Sequence, residues 1–259
     1  MKKENILSKI NSPKDLKDLP EDKLEPLCEE IREKIISTVS RNGGHLASNL
    51  GVVELTVALH RVFSNSNDKI VWDVGHQCYT HKILTGRLSK IDTIRKENGL
   101  SGFPRRSESI YDPFSTGHSS TSISAAYGLL NAKRLNHDNG KVIAVIGDGA
   151  LSGGLAYEGI NNAGAAKKNF IVILNDNKMS ISENVGGMSR YLNDLRSRKS
   201  YSEFKENVES ALNNIPGVGK SVARTLKKSK DSIKQLFIPG MLFENMGITY
   251  YGLVNGHDI

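Results

Sequence analysis

Residues 141–149 read KVIAVIGDG and residues 170–177 read FIVILNDN, and the two stretches share one pattern. Each begins with a continuous apolar run, which is typical of a strand buried on both faces of a parallel sheet. The residues between them, 154–166, have the periodicity of a helix. A strand, a helix and a second strand within about 30 residues predict a right-handed crossover, so the carboxyl ends of both strands should meet at one edge of the sheet.

Polar residues follow each of these strands directly, as GDG at 147–149 and NDN at 175–177. Mg²⁺ prefers oxygen ligands and commonly joins a carboxylate to phosphate groups. Asp148 would supply the carboxylate and Asn177 a neutral carbonyl oxygen. The flanking glycines would let backbone N–H groups approach the phosphates, and the N-terminus of the next helix would add a partial positive charge. These residue types suit a magnesium-bound phosphate ligand, although a strand–GDG–helix unit by itself also forms simple turns.

The alternation of helix and strand extends along the chain. A second helix is predicted over 51–63, a short strand over 69–73 and a small-residue-rich helix over 119–135. An apolar run within 237–259 predicts a final strand. The first helix has apolar positions at helical spacing, namely Leu24, Leu27, Ile31, Ile35 and Val39. Together these elements predict an α/β domain with a mainly parallel sheet, which binds ligands at the carboxyl edge of its strands.

The composition is that of a soluble protein. Hydrophobic residues make up 38% of the 259 residues, and no run approaches the ~18–20 apolar residues of a membrane span. Acids rather than an apolar stretch follow the N-terminal lysines, so we expect no signal or transit peptide and a cytoplasmic location. Cys28 and Cys78 lie fifty residues apart, without the spacing of a disulfide framework or a zinc site, and we expect ordinary buried thiols.

The positive charge is concentrated in one late segment. The chain carries a net charge of +7, and residues 196–234 hold ten Lys or Arg against four Asp or Glu. The rest of the chain is therefore close to neutral. We interpret residues 196–236 as a basic, partly mobile helical excursion. It would separate an α/β domain at 1–195 from a return strand and loop of the same domain at 237–259.

Further blocks of sequence occur in order along the chain: GGHLAS at 43–48, WDVGHQ at 72–77, YTHKILTGR at 79–87, GFP at 102–104 and STGHSSTS at 115–122. The GDG and NDN elements resemble the fingerprint of thiamine-diphosphate enzymes. With the other blocks, they resemble the N-terminal, diphosphate-binding portion of the 1-deoxy-D-xylulose-5-phosphate synthases, members of the transketolase-like superfamily. The resemblance runs nearly end to end across the chain.

This resemblance implies a three-layer αβα fold that binds thiamine diphosphate and Mg²⁺. It further implies a transferase that decarboxylates pyruvate and joins the remaining two-carbon unit to D-glyceraldehyde 3-phosphate, with the cofactor responsible for the hardest step. The product, 1-deoxy-D-xylulose 5-phosphate, is a precursor of isoprenoids and thiamine. The expected assembly is a homodimer, or a complex with a partner chain that carries the pyrimidine-binding domain.

The resemblance also assigns site residues by position. The metal ligands would be Asp148, Asn177 and the main-chain carbonyl of Met179. His45 would face the substrate and His257 would close over the active site, so both receive catalytic roles. The cofactor-binding residues would be His76, Gly117, His118, Ser119, Gly149, Ala150 and Asn177.

The chain departs from the family pattern in two ways. Leu253 and Asn255 replace a proline and an aspartate that usually precede the histidine. Full-length relatives are more than twice as long, and the glutamate that protonates the aminopyrimidine belongs to a second domain, so we expect weak or absent turnover by this chain alone. The chain could be a piece cut at a domain boundary, a truncated gene product or one subunit of a split enzyme. A non-catalytic cofactor-binding fragment is an alternative function.

Some residues remain outside this assignment. His60 and His137 are interpreted as structural histidines, and His81 is left unassigned. Residues 215–226, IPGVGKSVARTL, match a helix-hairpin-helix, whose Gly-x-Gly turn presents backbone N–H groups to a nucleic-acid phosphate. The preceding helix has weak periodicity and only one hairpin is present, so nucleic-acid binding is a less favoured alternative. GVGKS is not a nucleotide-binding loop, because Asn214 occupies the position of the first glycine of that motif.

Overall fold

The structure is a computed structural model that describes residues 5–63, 66–164, 170–176, 186–197 and 241–259. The chain forms two compact units. One comprises Met1–Ser182 with Asn255–Ile259, and the other comprises Glu183–Val254. All the described strands belong to the first unit.

The elements of the first unit alternate in the predicted order. Its strands are β1 (Lys69–Trp72), β2 (Val142–Gly147) and β3 (Phe170–Asn175). Its α-helices are α1 (Lys14–Lys17), α2 (Leu24–Asn42), α3 (Leu46–Leu50), α4 (Val53–Val62), α5 (Tyr79–Lys82), α6 (Ser122–Leu135), α7 (Asp148–Leu151) and α8 (Gly154–Ala163). Short 3-10 turns span Leu7–Lys9, Glu21–Lys23 and Leu88–Thr93, and a π turn spans Ile83–Arg87. The described part of the second unit contains α9 (Gly187–Ser197) and α10 (Met241–Asn245).

The described strands form a parallel sheet in the order β1-β2-β3. The register pairs Val145 of β2 with Trp72 of β1, and Gly147 of β2 with Asn175 of β3. Neighbouring parallel strands need a crossover connection, and α8 lies in the connection between β2 and β3. The strand–helix–strand unit predicted from residues 141–177 is therefore confirmed.

Side chains of the strands alternate between two helical layers. Ile70 and Trp72 point into a core that they share with apolar side chains of α2, α4 and α5. Val71 lies between them in sequence and therefore points to the opposite face, which α6 covers with Ile123 and Ala126. Helices on both faces of a parallel sheet give the three-layer αβα fold that the resemblance implied.

Helix α2 covers the first face because one side of it is apolar. Leu27, Ile31 and Ile35 recur at helical spacing and are buried. Gly43 follows the last residue of the helix with a φ of +71°, a left-handed conformation that glycine adopts without strain. Cys28 on this helix is a free, buried thiol, as predicted from the sequence, and the same holds for Cys78.

In the described part of the second unit, three aromatic rings pack together. Tyr191 of α9 lies edge-on to Phe243 of α10, with 6.2 Å between the ring centroids, and Phe243 stacks on Tyr250 at 6.0 Å. The strand predicted within 237–259 is wrong for residues 241–259, which form helix α10 and loops. Periodicity does not distinguish a helix from a strand in so short an apolar run. Here a single helical turn buries Phe243.

The basic segment falls mainly outside the described residues. Of residues 196–236, only Arg196 and Ser197 are described, at the end of α9. The helix-hairpin-helix pattern at 215–226 also lies outside them. The boundaries at 1–195, 196–236 and 237–259 and the nucleic-acid alternative therefore stay predictions. Among the helices that the structure describes, none is long and apolar enough to cross a membrane.

Candidate functional site

The end of β2 leads directly into two helices at the carboxyl edge of the sheet. Asp148 begins α7 immediately after the strand, and its side chain is buried. Because Gly147 pairs with Asn175, the residues that follow β2 and β3 start at neighbouring points of the edge. This is the placement predicted for a magnesium diphosphate site. Asn177 and Met179 lie outside the described residues, so their distance from Asp148 stays a prediction.

A tight turn follows β1 at the same edge. Val74 and Gly75 have φ values of +58° and +86°, and the N–H of Gly75 donates to the carbonyl of Asp73 over 2.5 Å. A Cβ atom at Gly75 would lie 2.2 Å from Cδ of Pro104. The backbone conformation of Gly75 and the lack of room for a side chain both require glycine at this position. The turn places His76 at the same edge of the sheet.

Asp73 ties the end of β1 to the start of α6. Its buried carboxylate accepts hydrogen bonds from the backbone N–H groups of Ser120, at 2.7 Å, and Ser122, at 2.9 Å. The first N–H groups of a helix have no partner within the helix. A carboxylate placed there accepts their hydrogen bonds and interacts favourably with the positive end of the helix dipole. The bonds fix the segment that precedes α6, which contains the predicted cofactor-binding residues 117–119.

Ser120 joins this segment to the loop after β2. Its φ is +68°, and its hydroxyl donates to the carbonyl of Ala150 over 2.7 Å. Gly153 packs against the same hydroxyl, since a Cβ atom there would lie 2.3 Å from Oγ of Ser120. Two predicted cofactor-binding stretches, 117–119 and 149–150, are therefore linked through one residue.

His45 and His76 lie side by side. Their ring centroids are 5.3 Å apart with the planes at 71°, and the ring of Phe103 lies 6.2 Å from that of His45. His45 occupies the N-cap position of α3 after the two glycines of the GGHLAS block. A Cβ atom at Gly44 would lie 2.6 Å from the hydroxyl of Tyr79, so the backbone before His45 fits closely against α5.

The side chain of Asn49 holds the two histidine loops together. Its amide nitrogen donates to the carbonyls of His45, at 2.6 Å, and His76, at 2.9 Å. Its carbonyl oxygen accepts the backbone N–H of Tyr79 over 2.9 Å. Asn49 is fully buried, so its side-chain amide depends on these backbone partners for its hydrogen bonds. The side-chain amide of Asn49 thus holds the backbones of His45 and His76 next to each other.

Both rings are shifted toward the neutral form. Burial, and then the Arg95 guanidinium, lowers the pKa of His45. Burial, and then His45, lowers the pKa of His76, while Asp73 opposes the shift. Nδ1 of His76 is buried and has no hydrogen-bond partner among the described residues. A neutral imidazole with such a nitrogen can donate or accept one hydrogen bond to a ligand.

An open cleft of about 470 Å³ is lined by residues between 101 and 121. Its lining includes Gly117, His118 and Thr121 on one side and Phe103 and Arg105 on another. A Cβ atom at Gly117 would touch Phe103 at 3.9 Å. The Phe103 ring also contacts His45, so one lining residue of the cleft lies against a predicted site residue. His118 and Ser119 are exposed.

His257 contacts a carboxylate on α4. Its Nδ1 lies 3.1 Å from a carboxylate oxygen of Glu54 on α4, and the other oxygen of Glu54 accepts a hydrogen bond from Arg32. Among the described contacts, its ring meets Glu54 rather than His45 or His76. The role assigned to His257 therefore stays a prediction that the described contacts do not test.

The donors at the sheet edge fit a magnesium-bound diphosphate. Asp148 offers one buried carboxylate, and α8 begins at Gly154 without a side-chain cap, so backbone N–H groups remain for an anion. Nδ1 of His76 offers an unpartnered polar atom nearby in the fold. Among the described residues, no group of three or more His, Cys, Asp or Glu is arranged so that it could hold a metal ion. That observation is compatible with the predicted metal site, which has one carboxylate and otherwise neutral oxygens.

Sequence reasoning missed three residues that build the site. Asp73 and Asn49 bridge backbone groups far apart in the chain, and Ser120 bonds across to the loop after β2. Asp73 directly follows a predicted strand, and this position was a signal that could have singled it out. Ser120 lies within a quoted block and Asn49 directly follows one, but no spacing indicates which backbone groups they would meet.

A parallel sheet with helices on both faces and polar residues at its carboxyl edge defines an α/β protein with the transketolase fold. A crystal structure of a transketolase mutant from Pichia stipitis matches with a TM-score of 0.50 at 20% identity, over 60% of this chain and 27% of that chain. The chain belongs to the 1-deoxy-D-xylulose-5-phosphate synthase family, because the N-terminal model of that family matches residues 7–259.

Curated relatives agree with this membership. A 1-deoxy-D-xylulose-5-phosphate synthase from Alkaliphilus oremlandii (strain OhILAs) is 59% identical over 97% of this chain and 40% of its own length. The protein of the same name from Clostridium tetani (strain Massachusetts / E88) is 56% identical over 98% of this chain and 41% of its own length. The chain thus spans about two fifths of the length of these relatives and matches the N-terminal portion of the family.

Proposed function

We propose that this chain forms the diphosphate-binding part of a 1-deoxy-D-xylulose-5-phosphate synthase, which joins pyruvate to D-glyceraldehyde 3-phosphate using thiamine diphosphate and Mg²⁺. The observation that carries the proposal is the convergence at one sheet edge of buried Asp148 with the segment before α6, which Ser120 joins to Ala150. When bound, thiamine diphosphate would supply the stabilisation of negative charge that pyruvate decarboxylation requires.

The residues at the sheet edge would bind the diphosphate and its metal. Asp148 would hold Mg²⁺ together with the side chain of Asn177 and the carbonyl of Met179. Residues 149–150 and 117–119 would line the diphosphate, since Ser120 fixes the two stretches against each other. A single carboxylate leaves the metal charge to be neutralised by the diphosphate, which favours binding of the two together.

The histidines would form hydrogen bonds with the ligands and accept protons from them. His76 has a buried, unpartnered Nδ1 and would bond to the cofactor. His45 is shifted toward the neutral form, so near pH 7 its ring would retain a lone pair that can accept a proton or a hydrogen bond from the substrate. His257, whose ring contacts Glu54, would close over the site. A cytoplasmic location and dimerisation through this part of the protein stay predictions.

Calorimetric titration with thiamine diphosphate and Mg²⁺ tests the proposal. Wild type should bind both together, and removal of Mg²⁺ should weaken binding of the diphosphate. Asp148→Ala should lower the affinity at least about tenfold, which corresponds to about 1.4 kcal/mol. The matched control is Asp138→Ala, which removes a carboxylate that bonds Lys133 before β2 begins. Equal affinities for the Asp148 and Asp138 variants would contradict the assignment of the site.

An assay of carbon dioxide release from pyruvate tests the catalytic part of the proposal. We expect weak or absent turnover by this chain alone, because the glutamate that protonates the aminopyrimidine in the family would come from a second domain. Addition of a chain that carries such a domain should raise the rate. Full turnover by the chain alone would show that residues within it perform this step.

A further inference from the structure

Six buried or nearly buried polar side chains lie together, and we name them the Asp112 cluster: His60, His81, Lys82, Arg87, Glu108 and Asp112. Asp112 accepts two hydrogen bonds from Arg87, at 2.6 and 2.9 Å, and one from Nε2 of His81 at 2.8 Å. Lys82 bonds to Glu108, and Arg87 also lies within 3.5 Å of it. None of these six side chains belongs to the proposed cofactor site.

The cluster sits beneath a segment without regular structure. Residues 101–121 contain no helix or strand, yet they line the cleft described above. Helices and strands satisfy their own backbone groups, whereas an irregular segment against the core needs side chains for this purpose. Asp112 and Glu108 of the cluster accept hydrogen bonds from such backbone groups. Asp112 accepts the N–H of Arg105 over 2.9 Å, and Glu108 accepts the N–H of Ser101 over 2.7 Å.

The hydrogen bonds define where the protons of the two histidines lie. Burial raises the pKa of Asp112, but the hydrogen bonds from His81 and Arg87 outweigh it and hold the pKa well below its usual range, so this carboxylate accepts and Nε2–H of His81 donates. Burial shifts both histidines toward the neutral form. Nδ1 of His81 then accepts from Nε2–H of His60 over 2.9 Å. The remaining nitrogen, Nδ1 of His60, carries no proton, which agrees with its lack of a partner among the described residues.

With neutral histidines, the cluster has no net charge. Lys82 and Arg87 supply two positive charges, and Glu108 and Asp112 supply two negative charges. Removing one member of a buried ion pair costs more than the pair contributes, because the other charge is left without a partner. The side chains of Lys82 and Asp112 are fully buried. The arrangement therefore favours one conformation of the segment that carries both acids.

We propose that Asp112 is a positioning residue that fixes the wall of the cleft, holding Phe103 to Arg105 in place through the Arg105 N–H and the Asp112 cluster. Arg87 and His81, which follow β1 in the chain, anchor the carboxylate from the side of the core. Phe103 in turn contacts His45, and it lies 3.9 Å from the position that a Cβ atom at Gly117 would occupy. The use of this wall for ligand binding rests on the proposed function, whereas the order of the segment does not.

Amide hydrogen exchange of the 259-residue chain without cofactor tests the positioning. In wild type, the N–H groups of Ser101 and Arg105 should be protected although they belong to no helix or strand. Asp112→Asn preserves the shape but removes the charge, so exchange in peptides covering 101–118 should become about tenfold faster. Peptides covering β2 should exchange as in wild type. The matched control, Asp138→Asn, loses a carboxylate bonded to a lysine and to a backbone N–H, and should leave 101–118 unchanged.

A second variant, Glu108→Gln, and the fluorescence of Trp72 provide two further tests. If Asp112→Asn does not fold, Glu108→Gln should speed exchange at Ser101 in the same peptides. Trp72, the one tryptophan of the chain, lies 5.8 Å from the ring of His81. A protonated imidazole quenches indole fluorescence, so wild-type emission should show no titration near pH 6.5, whereas a change there would contradict the proton arrangement.

Unchanged exchange over 101–118 in both cluster variants would overturn the positioning role. Calorimetry with Mg²⁺ and thiamine diphosphate separates this inference from the proposed function. If wild type binds the cofactor, Asp112→Asn should weaken binding about tenfold. An unaltered affinity would show that Asp112 does not position the cleft for ligand binding. If wild type does not bind the cofactor, the proposed function fails, and the exchange result still decides whether Asp112 orders the segment.

Discussion

The carboxylate of Asp73 accepts a hydrogen bond of 2.7 Å from the backbone N–H of Ser120, 47 residues further along the chain. The hydroxyl of Ser120 donates in turn to the carbonyl of Ala150. The end of β1, the start of α6 and the loop after β2 are thereby joined at one point. Three segments far apart in sequence are placed against each other at the edge where the cofactor is proposed to bind.

Replacing Asp73 should weaken both stability and cofactor binding. Asp73→Ala leaves two buried N–H groups without an acceptor, so we expect the free energy of unfolding to fall by about 3 kcal/mol in urea denaturation. Asp68→Ala is the control, because Asp68 accepts a backbone N–H of Lys141 at an exposed position before the same strand. Its effect should stay below about 1 kcal/mol. Similar losses for the two variants would argue against a special role for Asp73.

Replacing Asn49 should release the two histidine loops. Asn49→Ala removes bonds to the carbonyls of His45 and His76 and to the N–H of Tyr79, and should cost about 2–3 kcal/mol of unfolding free energy. Greater exposure of both rings should raise their pKa values toward the ordinary range, which NMR titration measures. Asn162→Ala, at an exposed helical position with one bond to the carbonyl of Glu158, should change neither quantity. Unmoved histidine pKa values in Asn49→Ala would refute the proposed coupling.

Much of the fold followed from the sequence because buried strands and amphipathic helices have distinct periods. The predicted strands at 141–146 and 170–174 became Val142–Gly147 and Phe170–Asn175. The helix predicted at 51–63 ends as expected, but α3 precedes it as a separate helix. The strand predicted within 237–259 was wrong for residues 241–259, since so short an apolar run does not decide by its period between helix and strand.

The candidate site was predicted less completely. The sequence blocks indicated His45 and His76, and the structure brings these rings within 5.3 Å. The side chains that hold them in place were not predicted, because hydrogen bonds from Asn49 and Asp73 to distant backbone groups leave no periodic trace. His81, which received no assignment, belongs to the Asp112 cluster. His60, interpreted as structural, is a buried member of the same cluster and bonds to His81.

Acid should destabilise the first unit through its buried histidines. Burial, and then His81, lowers the pKa of His60 well below its ordinary value. Below about pH 6.5 the unfolded chain binds a proton at this position that the folded chain does not bind. The free energy of unfolding should therefore be highest above pH 6.5 and fall as the pH decreases toward 5. The slope from His60 should be at most about 1.4 kcal/mol per pH unit.

His60→Gln isolates this contribution. The amide of Gln can still donate to Nδ1 of His81 but does not titrate, so the fall in stability between pH 6.5 and 5 should become shallower. Urea denaturation at a series of pH values measures the slope. His137→Gln serves as the control at an exposed position beside a turn, and its curve should keep the wild-type slope. An unchanged slope in His60→Gln would show that the acid sensitivity originates elsewhere.

Two adjacent glycines at the start of α8 provide a steric test of the proposed diphosphate loop. A Cβ atom at Gly153 would lie 2.3 Å from Oγ of Ser120, whereas one at Gly154 would meet nothing within 4 Å. Gly153→Ala should force the Ser120 hydroxyl away from the carbonyl of Ala150 and lower the affinity for Mg²⁺ and thiamine diphosphate by about tenfold. Gly154→Ala should bind like wild type and melt at the same or a higher temperature, since alanine favours a helix over glycine. Because the two substitutions add the same methyl group to neighbouring residues, a difference in affinity between them reports the contact with Ser120. Equal affinities would mean that this contact does not shape the site.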